Sequence, residues 1–246
     1  MKTKKLNLKQ NILWNSVGNF MFFFFQWLLT YITTKILGFY NAGIFSLAIS
    51  ISNVTNALAT YGIRNFQVSD LDNKYNNKTY ITARLFTCCL SIFFCFIYLL
   101  VVGYDLFTFL CILVYNIFKM SESYTDVFHG IFQKHQRMDI NGKSFIFKSI
   151  LTFVSFVICA LLTHNLLISI IVMTIFSYLL LLFYDYKMSF AFVNYIKENT
   201  NFNTIKLLLI ETFPLAIYYT LSNLLPTIPK VALEKICGNE LLGYYS

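Results

Sequence analysis

Apolar segments long enough to cross a bilayer constrain the fold of this chain more than any other feature of its sequence. Only 12% of the residues are charged, against about a quarter in a typical soluble domain. One crossing needs about 20 mostly apolar residues, because the hydrocarbon core of a bilayer is about 30 Å thick. Such segments lie at 11–37, 42–61, 83–102, 106–129, 145–162 and 166–184, with a proline-containing seventh at 211–228. The sequence therefore predicts an all-α polytopic membrane protein.

A twelve-residue segment near the start of the chain recurs near its end at an offset of 200 residues. Residues 35–46 and 235–246 align without a gap and are identical at five positions, including both glycines of a Gly-x4-Gly pattern. Repeats on this scale indicate two related lobes. We predict a six-helix N-terminal lobe at 1–197, a cytoplasmic linker at 198–208, and the first helix and following loop of an incomplete, pseudo-symmetric second lobe at 209–246. The chain is expected to represent about half of a larger transporter.

Positive charges are distributed unequally between the two ends of the predicted helices. Sixteen Lys and Arg residues fall at one end, with Arg84 and Lys148 counted among them, whereas only three fall at the other, including Lys230 and Lys235 in a predicted outward loop. The more positive end of a membrane protein faces the cytoplasm. We therefore predict a multi-pass protein of the cytoplasmic (inner) membrane with a cytoplasmic N-terminus. This distribution explains the net charge of +8 without a nucleic-acid partner.

Polar residues form a stripe along each of the first two predicted helices. Those of the first helix fall within an arc of about 60° and are Asn15, Asn19, Gln26, Thr30 and Thr33. Those of the second fall within about 80° and are Ser46, Ser50, Asn53, Thr60 and Arg64. Because polar groups are costly in lipid, each stripe must face protein or water. Hydrogen bonding within a dry bundle would explain one stripe, but two on adjacent helices favour a polar cavity.

The fourth predicted helix carries charged residues at membrane depth. Lys119, Glu122, Asp126 and His129 fall within an arc of about 80°. Lys119 and Glu122 are three residues apart and can pair. Ionisable residues inside a membrane indicate a functional site, and a structural ion pair with a snorkelling lysine is the alternative. Asp126 and His129 lie nearer the cytoplasmic boundary, where contact with water would explain them.

Sequence motifs give no indication of catalysis. The chain contains no P-loop, no nucleophile-elbow motif and no acidic cluster typical of a metal site. The predicted outward connections at 103–105 and 163–165 are too short to present a catalytic centre. We therefore predict a protein that is not an enzyme and that needs no cofactor and no metal.

Three segments of the sequence carry a family resemblance. They are YGIRNFQVSD at 61–70, HGIFQKHQR at 129–137, and the repeated Gly-x4-Gly pattern. Together they resemble the Wzx-type polysaccharide flippases, whose superfamily includes the lipid II flippases and the MATE exporters. The resemblance implies two lobes around a cavity lined by the first two helices of each. It also implies an oligosaccharide repeat unit linked to a polyprenol through pyrophosphate, alternating access, and polysaccharide polymerase and glycosyltransferase partners in O-antigen or capsule synthesis.

For such a substrate the sequence suggests specific contacts. Arg64 offers forked donors and Lys119 an ammonium group to the pyrophosphate. Hydrogen bonds to sugar hydroxyls are expected from the polar stripes, at Asn15, Asn19, Gln26, Ser50 and Asn53. Glu122 and Asp126 are candidates for proton or sodium coupling.

Three other functions are compatible with the sequence. A MATE-like exporter of cations would need unpaired acidic residues in the cavity, and the first two predicted helices contain none. A membrane-embedded polysaccharide enzyme would need a larger outward loop. An inactive fragment is the third alternative, because nearly all of the second lobe is missing from the sequence.

Overall fold

The structure is a computed structural model that describes residues 6–193 and 200–245, and these residues are mostly helical. Within these ranges the α-helices are α1 (Leu8–Thr60), α2 (Ile63–Ser69), α3 (Asn77–Val102), α4 (Leu106–Lys134), α5 (Met138–Thr163), α6 (Leu166–Leu180), α7 (Lys187–Ser189) and α8 (Phe202–Tyr245). A π-helical turn, Leu181–Tyr186, joins α6 to α7. Among the described residues, six helical segments are long and apolar enough to cross a membrane, with Leu8–Ser69 counted as one segment. The predicted all-α polytopic fold is thereby confirmed.

Several sequence predictions fall outside the described residues. These are the N-terminal lysines Lys2, Lys4 and Lys5, the lysine Lys197, the linker residues 198 and 199, and the last repeat residue, Ser246. α8 begins at Phe202, so residues 202–208 of the predicted linker are helical. The division of the chain into lobes stays a prediction.

Polar side chains just before the long helices explain where these helices begin. Asn7 accepts a hydrogen bond from the amide of Leu8 and shares a capping box with Gln10. Three further caps, Asn76, Asp105 and Asn165, each accept from the amide three residues later. Such caps satisfy amides that have no partner within the helix. The helices α1 and α3 therefore start earlier than their apolar segments, since a capped first turn need not be apolar.

α1 and α8 are each broken at one glycine, and the two glycines are equivalent in the repeat. Gly38 divides α1 into a first arm (8–37) and a second arm (39–60), with φ 82° and ψ 171°. Gly238 has φ 82° and ψ 173° in α8. This region of backbone space is essentially restricted to glycine. The repeated segment is thus a sharp break between helical arms, not the loop that the sequence suggested.

α8 also extends beyond the predicted seventh span. Pro226 and Pro229 lie inside the helix, which continues without a break to Gly238. Proline is tolerated inside membrane helices where the surroundings accommodate its missing hydrogen bond. Lys230 and Lys235 therefore lie on a helix and not in an outward loop, which corrects the sequence prediction.

The helices alternate in direction, and the end that holds Leu8 is here called the N-terminal end. α8 runs antiparallel to the second arm of α1, since the hydroxyl of Thr227 donates to the carbonyl oxygen of Ser50 at 3.2 Å. Nearer Gly38, the Lys230 ammonium donates to the hydroxyl of Ser46 at 3.3 Å. These contacts place the first part of α8 beside the arm that carries the second polar stripe.

Within the described residues, the two largest of three apolar clusters are separated by charged and polar residues. One cluster contains Phe45 and Tyr115, whose rings meet edge to face. The other lies toward the N-terminal end and contains Tyr80 and Phe128. Residues 119–126 of α4 lie between them and include the charged residues predicted at membrane depth. This arrangement places Lys119, Glu122 and Asp126 between the two clusters, in the middle of the bundle.

Candidate functional site

A polar cavity of about 410 Å³ lies at the N-terminal end between α1, α2, α4 and α8, and it is here called the large cavity because it is larger than the cavity that adjoins it. Asn15 and Asn19 line it from the first arm of α1, and Arg64 lines it from α2. Gln133 of α4 and Tyr219 of α8 contribute further polar groups. The structure therefore brings three of the suggested substrate contacts into one cavity, together with the ion-coupling candidate Asp126.

Arg64 lines the large cavity, but it does not lie on the helix to which the sequence analysis assigned it. The backbone of Tyr61 and Gly62 is left-handed, with φ 50° and 67°. α1 therefore ends at Thr60, and Arg64 belongs to the separate helix α2. The second polar stripe ends with α1, and the turn brings Arg64 to the cavity.

The guanidinium of Arg64 shares a carboxylate with a second arginine. Arg64 Nη1 lies 2.9 Å from Asp126 Oδ1, and its Nη2 donates to Gln133 Oε1 at 2.9 Å. Arg84 Nη2 lies 2.9 Å from the other oxygen of Asp126, and its Nη1 donates to the carbonyl oxygen of Ala59 at 2.9 Å. Two fixed positive charges thus meet one negative charge. This excess favours an additional anion beside Arg64.

Lys119 and Glu122 form the ion pair that their spacing allows. Lys119 Nζ lies 2.8 Å from Glu122 Oε2, and both side chains are largely buried. The ammonium also lies 5.9 Å from the ring centre of Tyr115, within cation–π range. Glu122 Oε1 has no hydrogen-bond partner among the described residues. Half of this carboxylate is therefore available to a water molecule or an ion.

A second cavity, here called the inner cavity, adjoins the large cavity. Its volume is about 160 Å³, and it shares the lining residues Thr60 and Asp126 with the large cavity. Glu122 lines it from α4, and Lys148 lines it from α5. Polar groups therefore continue from the N-terminal end into the middle of the bundle.

Lys148 is a buried cation, although the sequence count treats it as a loop charge. Its side chain is 2% exposed, and its Nζ donates to Thr125 Oγ1 at 3.0 Å and more weakly to the carbonyl oxygen of Ser121. Within the described residues no carboxylate lies within ion-pair distance of it. It adds a further positive charge to the wall of the inner cavity.

His129 is buried, and the expectation that water surrounds it is wrong. The residue is 1% exposed, and its Nε2 lies 3.6 Å from Asp185 Oδ1. Asp185 is fully buried in the π-helical turn. A histidine and a carboxylate thus face each other beside the inner cavity.

The remaining residues suggested by the sequence lie away from these two cavities. The hydroxyl of Tyr115 donates to Gln26 Oε1 at 3.5 Å. The hydroxyl of Ser50 donates to the carbonyl oxygen of Ser46 within its own helix at 2.8 Å. Asn53 is half-buried. Their roles as sugar contacts stay predictions.

A third cavity, of about 560 Å³, lies near the break at Gly38. It is lined by Thr30 and Ser46 of the two stripes and by Lys35 and Lys230. Polar residues of the two arms of α1 therefore line one cavity at the N-terminal end and another near Gly38.

Sequence reasoning missed several buried charged residues, among them Arg84, Lys148 and Asp185. It assigned Arg84 and Lys148 to the positive loops and ended the sixth span one residue before Asp185. Arg84 and Lys148 lie in the first turn of the predicted segments 83–102 and 145–162, and Asp185 directly follows the segment 166–184, so each charge lies at the end of an apolar run. That adjacency was the available signal, but it does not distinguish a buried charge from one at the membrane surface.

Comparison with known families and proteins gives one consistent result. The model of a family described as "Polysaccharide biosynthesis protein" matches residues 8–246. The chain is 30% identical over 185 residues to the capsular polysaccharide biosynthesis protein CapF of Staphylococcus aureus. That alignment covers 71% of this chain and 44% of the relative.

A solved structure, described as "protein A", shares the fold. The superposition has a TM-score of 0.66 at 10% sequence identity and covers 97% of this chain. It covers 58% of the solved chain. The chain thus spans about half the length of the two proteins it matches.

Proposed function

The chain belongs to the polysaccharide biosynthesis protein family, and from this membership we propose that it forms the first lobe of a flippase. The substrate is an oligosaccharide repeat unit linked to a polyprenol through pyrophosphate, which crosses the cytoplasmic membrane for the synthesis of a surface polysaccharide. The covalent structure of the substrate is unchanged, so the chain acts as a transporter and not as an enzyme. Transport uses alternating access, in which this lobe rocks against a second lobe around the cavities.

The large cavity is the observation that carries this proposal. It combines the amides of Asn15 and Asn19 with the guanidinium of Arg64 in one polar space. Amides are adaptable hydrogen-bond partners for sugar hydroxyls, and a guanidinium binds phosphate with forked donors. The same cavity therefore suits both parts of a glycan pyrophosphate.

Arg64 is the proposed phosphate contact. One of its terminal nitrogens is held by Asp126 and the other by the neutral amide of Gln133. An entering phosphate can replace Gln133 on Nη2 without breaking the ion pair to Asp126. Lys119 and the stripe residues Gln26, Ser50 and Asn53 would meet the substrate deeper in the membrane.

The balance of charge supports an anionic substrate over the cations of a MATE-like exporter. The carboxylates of Glu122 and Asp126 are both paired with cations. Lys148 adds a positive charge without a carboxylate partner among the described residues. The positively charged side chains that line the cavities would repel a cationic substrate.

Transport in proteoliposomes tests the proposal. The natural polypeptide that contains this chain is reconstituted with a fluorescent polyprenyl-pyrophosphate oligosaccharide, and movement between leaflets is followed by quenching from outside. We expect protein-dependent flipping, a marked loss when both Asn15 and Asn19 are changed to Ala, and no loss with Ser16→Ala on the exposed face of the same helix. Absence of flipping together with uptake of a cationic dye would instead favour an exporter.

A further inference from the structure

The pair formed by His129 and Asp185 is the buried polar feature that the transport proposal leaves unused. The closest atoms, Nε2 and Oδ1, are 3.6 Å apart, which is within ion-pair range but longer than a hydrogen bond. Both side chains are inaccessible from the protein surface, with 1% and 0% exposure. They come from α4 and from the π-helical turn, so the pair depends on tertiary packing.

Several polar atoms of this pair lack partners. Neither ring nitrogen of His129 makes a hydrogen bond within the described residues, and neither does Asp185 Oδ1. Asp185 Oδ2 has only a long hydrogen bond of 3.5 Å from the hydroxyl of Thr125. Buried polar atoms in proteins are nearly always satisfied, because leaving one unpaired costs about 1–3 kcal/mol. A proton shared between Nε2 and Oδ1 would give both facing atoms a partner.

The inner cavity gives such a group access. His129 and Thr125 both line it. A polar cavity of about 160 Å³ has room for water molecules. The inner cavity also adjoins the large cavity at Thr60 and Asp126. Protons can therefore reach His129 along water from the N-terminal end of the bundle.

The backbone around Asp185 is unusual as well. Leu181–Tyr186 is a π-helical turn between two α-helices. Such turns occur frequently at functional sites. Here the turn holds Asp185 in the core, although Phe183 in the same turn is exposed.

The charges that face this pair come from α2, α4 and α5. Arg64 and Asp126 act on His129, Lys148 acts on Asp185, and Glu122 lines the inner cavity, with Lys119 paired to it. With Arg84 on Asp126, the cluster contains two arginines, two lysines and, counting Asp185, three carboxylates. Proton binding by the pair raises the net charge of this cluster by one.

We propose that His129 and Asp185 form a proton-binding site whose occupancy favours binding of a phosphate-bearing ligand at Arg64. The proton comes from water and is held between Nε2 and Oδ1; no other covalent bond forms or breaks. Its positive charge attracts an anion in the large cavity, and by thermodynamic reciprocity the anion favours the bound proton. The coupling to a ligand rests on the proposed function, whereas the proton site does not.

Binding of polyprenyl pyrophosphate to the natural polypeptide in nanodiscs, followed by tryptophan fluorescence, tests the coupling. Affinity should rise about tenfold between about pH 8 and about pH 5, a range that spans histidine titration. Asp185→Asn removes a negative charge, so this variant should bind at high pH as the wild type binds at low pH. His129→Gln should bind weakly at every pH. Retention of the wild-type pH dependence in both variants would overturn the coupling.

NMR of the histidine rings tests the proton site without any ligand. The chain has three histidines, His129, His135 and His164, so single changes to Gln assign the signals. The His129 signal should titrate, and Asp185→Asn should move the titration midpoint, whereas Asp72→Asn in an exposed loop should not. A His129 signal that does not titrate, or that ignores Asp185→Asn, would overturn the site. Loss of pyrophosphate binding at every pH with an intact His129 titration would count against the proposed function alone.

Discussion

Gly43 and Gly243 occupy equivalent positions of the repeat and pack against equivalent carbonyl groups. A Cβ atom at Gly43 would lie 1.8 Å from the carbonyl oxygen of Asn239, and one at Gly243 would lie 2.0 Å from that of Phe39. Asn239 is itself the repeat partner of Phe39. Reciprocal contacts of this kind are the signature of a two-fold relationship. α1 and α8 therefore meet as pseudo-symmetric partners near their breaks.

The first prediction concerns this contact. Gly43→Ala and Gly243→Ala should each lower the free energy of unfolding by about 1–3 kcal/mol, because the added methyl group overlaps a backbone oxygen. Unfolding in detergent by increasing SDS measures the loss. Gly103→Ala is the control, since its positive φ carries a conformational cost but open space surrounds it. Equal losses in all three variants would mean that the close approach is unimportant.

The second prediction concerns Arg64. In the natural polypeptide, Arg64→Ala should weaken binding of polyprenyl pyrophosphate about tenfold or more, and Arg64→Lys should be intermediate, because lysine retains the charge but lacks the forked donors. Titration with the lipid in nanodiscs gives both values. Lys187→Ala removes an exposed charge outside the cavities and should have little effect. Similar losses for Arg64→Ala and Lys187→Ala would indicate a general charge effect.

The third prediction separates two roles of Lys119. If the ammonium contacts substrate, Lys119→Ala should reduce flipping, and combining it with Glu122→Gln should not restore it. If the pair is only structural, the single change does harm by leaving a buried carboxylate without its partner. Flipping rates of the two single variants and the double variant, at matched protein levels, distinguish the roles. We expect no recovery in the double variant.

The fourth prediction concerns pH and the loop before α3. Asp70 accepts hydrogen bonds from the amides of Lys74 and Tyr75 and from the hydroxyl of Tyr80 at 2.8 Å. Burial raises the pKa of Asp70, but these bonds outweigh burial and lower the pKa below its usual value. The carboxylate therefore stabilises the fold above the unfolded pKa, and this contribution is lost as pH falls through the folded pKa. Asp70→Asn should lower the free energy of unfolding by about 1–3 kcal/mol at neutral pH.

The same unfolding measurement at about pH 3 provides the comparison for Asp70→Asn. That pH lies below the ordinary pKa of an aspartate, so part of the stabilisation by the folded carboxylate has been lost and the difference between variant and wild type should shrink. Asp72→Asn, at an exposed position in the same loop, should be neutral at both pH values. A deficit of Asp70→Asn that is independent of pH would contradict this explanation.

The fifth prediction concerns orientation. Cysteines placed at Asn76 and Gln136 should react from the cytoplasmic side, and those at Tyr104 and His164 from the outside, because positive charges concentrate at the N-terminal end. Labelling in a variant without native cysteines, before and after permeabilisation of the membrane, provides the test. Labelling at position 164 only after permeabilisation would invert the assigned topology.

Much of the fold could be predicted from the sequence because a bilayer imposes local rules. A segment that crosses lipid must satisfy its own backbone hydrogen bonds and must be apolar over about 20 residues. Those rules located each predicted membrane-crossing helix to within a few turns. The repeat identified Gly38 and Gly238 as equivalent positions, and only the structure showed that both are sharp breaks between helical arms.

The charged site was only partly predictable. The spacing of Lys119 and Glu122 fixes their pairing within one helix, and the stripe on the first arm places Asn15 and Asn19 on one face. Asp126, in contrast, receives its two arginines from α2 and α3, which are distant in sequence. Periodicity along one helix contains no information on such partners.

Local hydropathy was enough to identify the segments that can cross a membrane, whereas only the packing of the helices shows which charges lie inside the bundle. Arg84, Lys148 and Asp185 stand next to apolar runs, where a charge can equally reach water. Packing of neighbouring helices closes off the water and leaves hydrogen bonds and opposite charges as the only compensation for burial. Whether a charged side chain contacts water or protein therefore depends on contacts between segments that are distant in the sequence. The burial of His129 has the same cause.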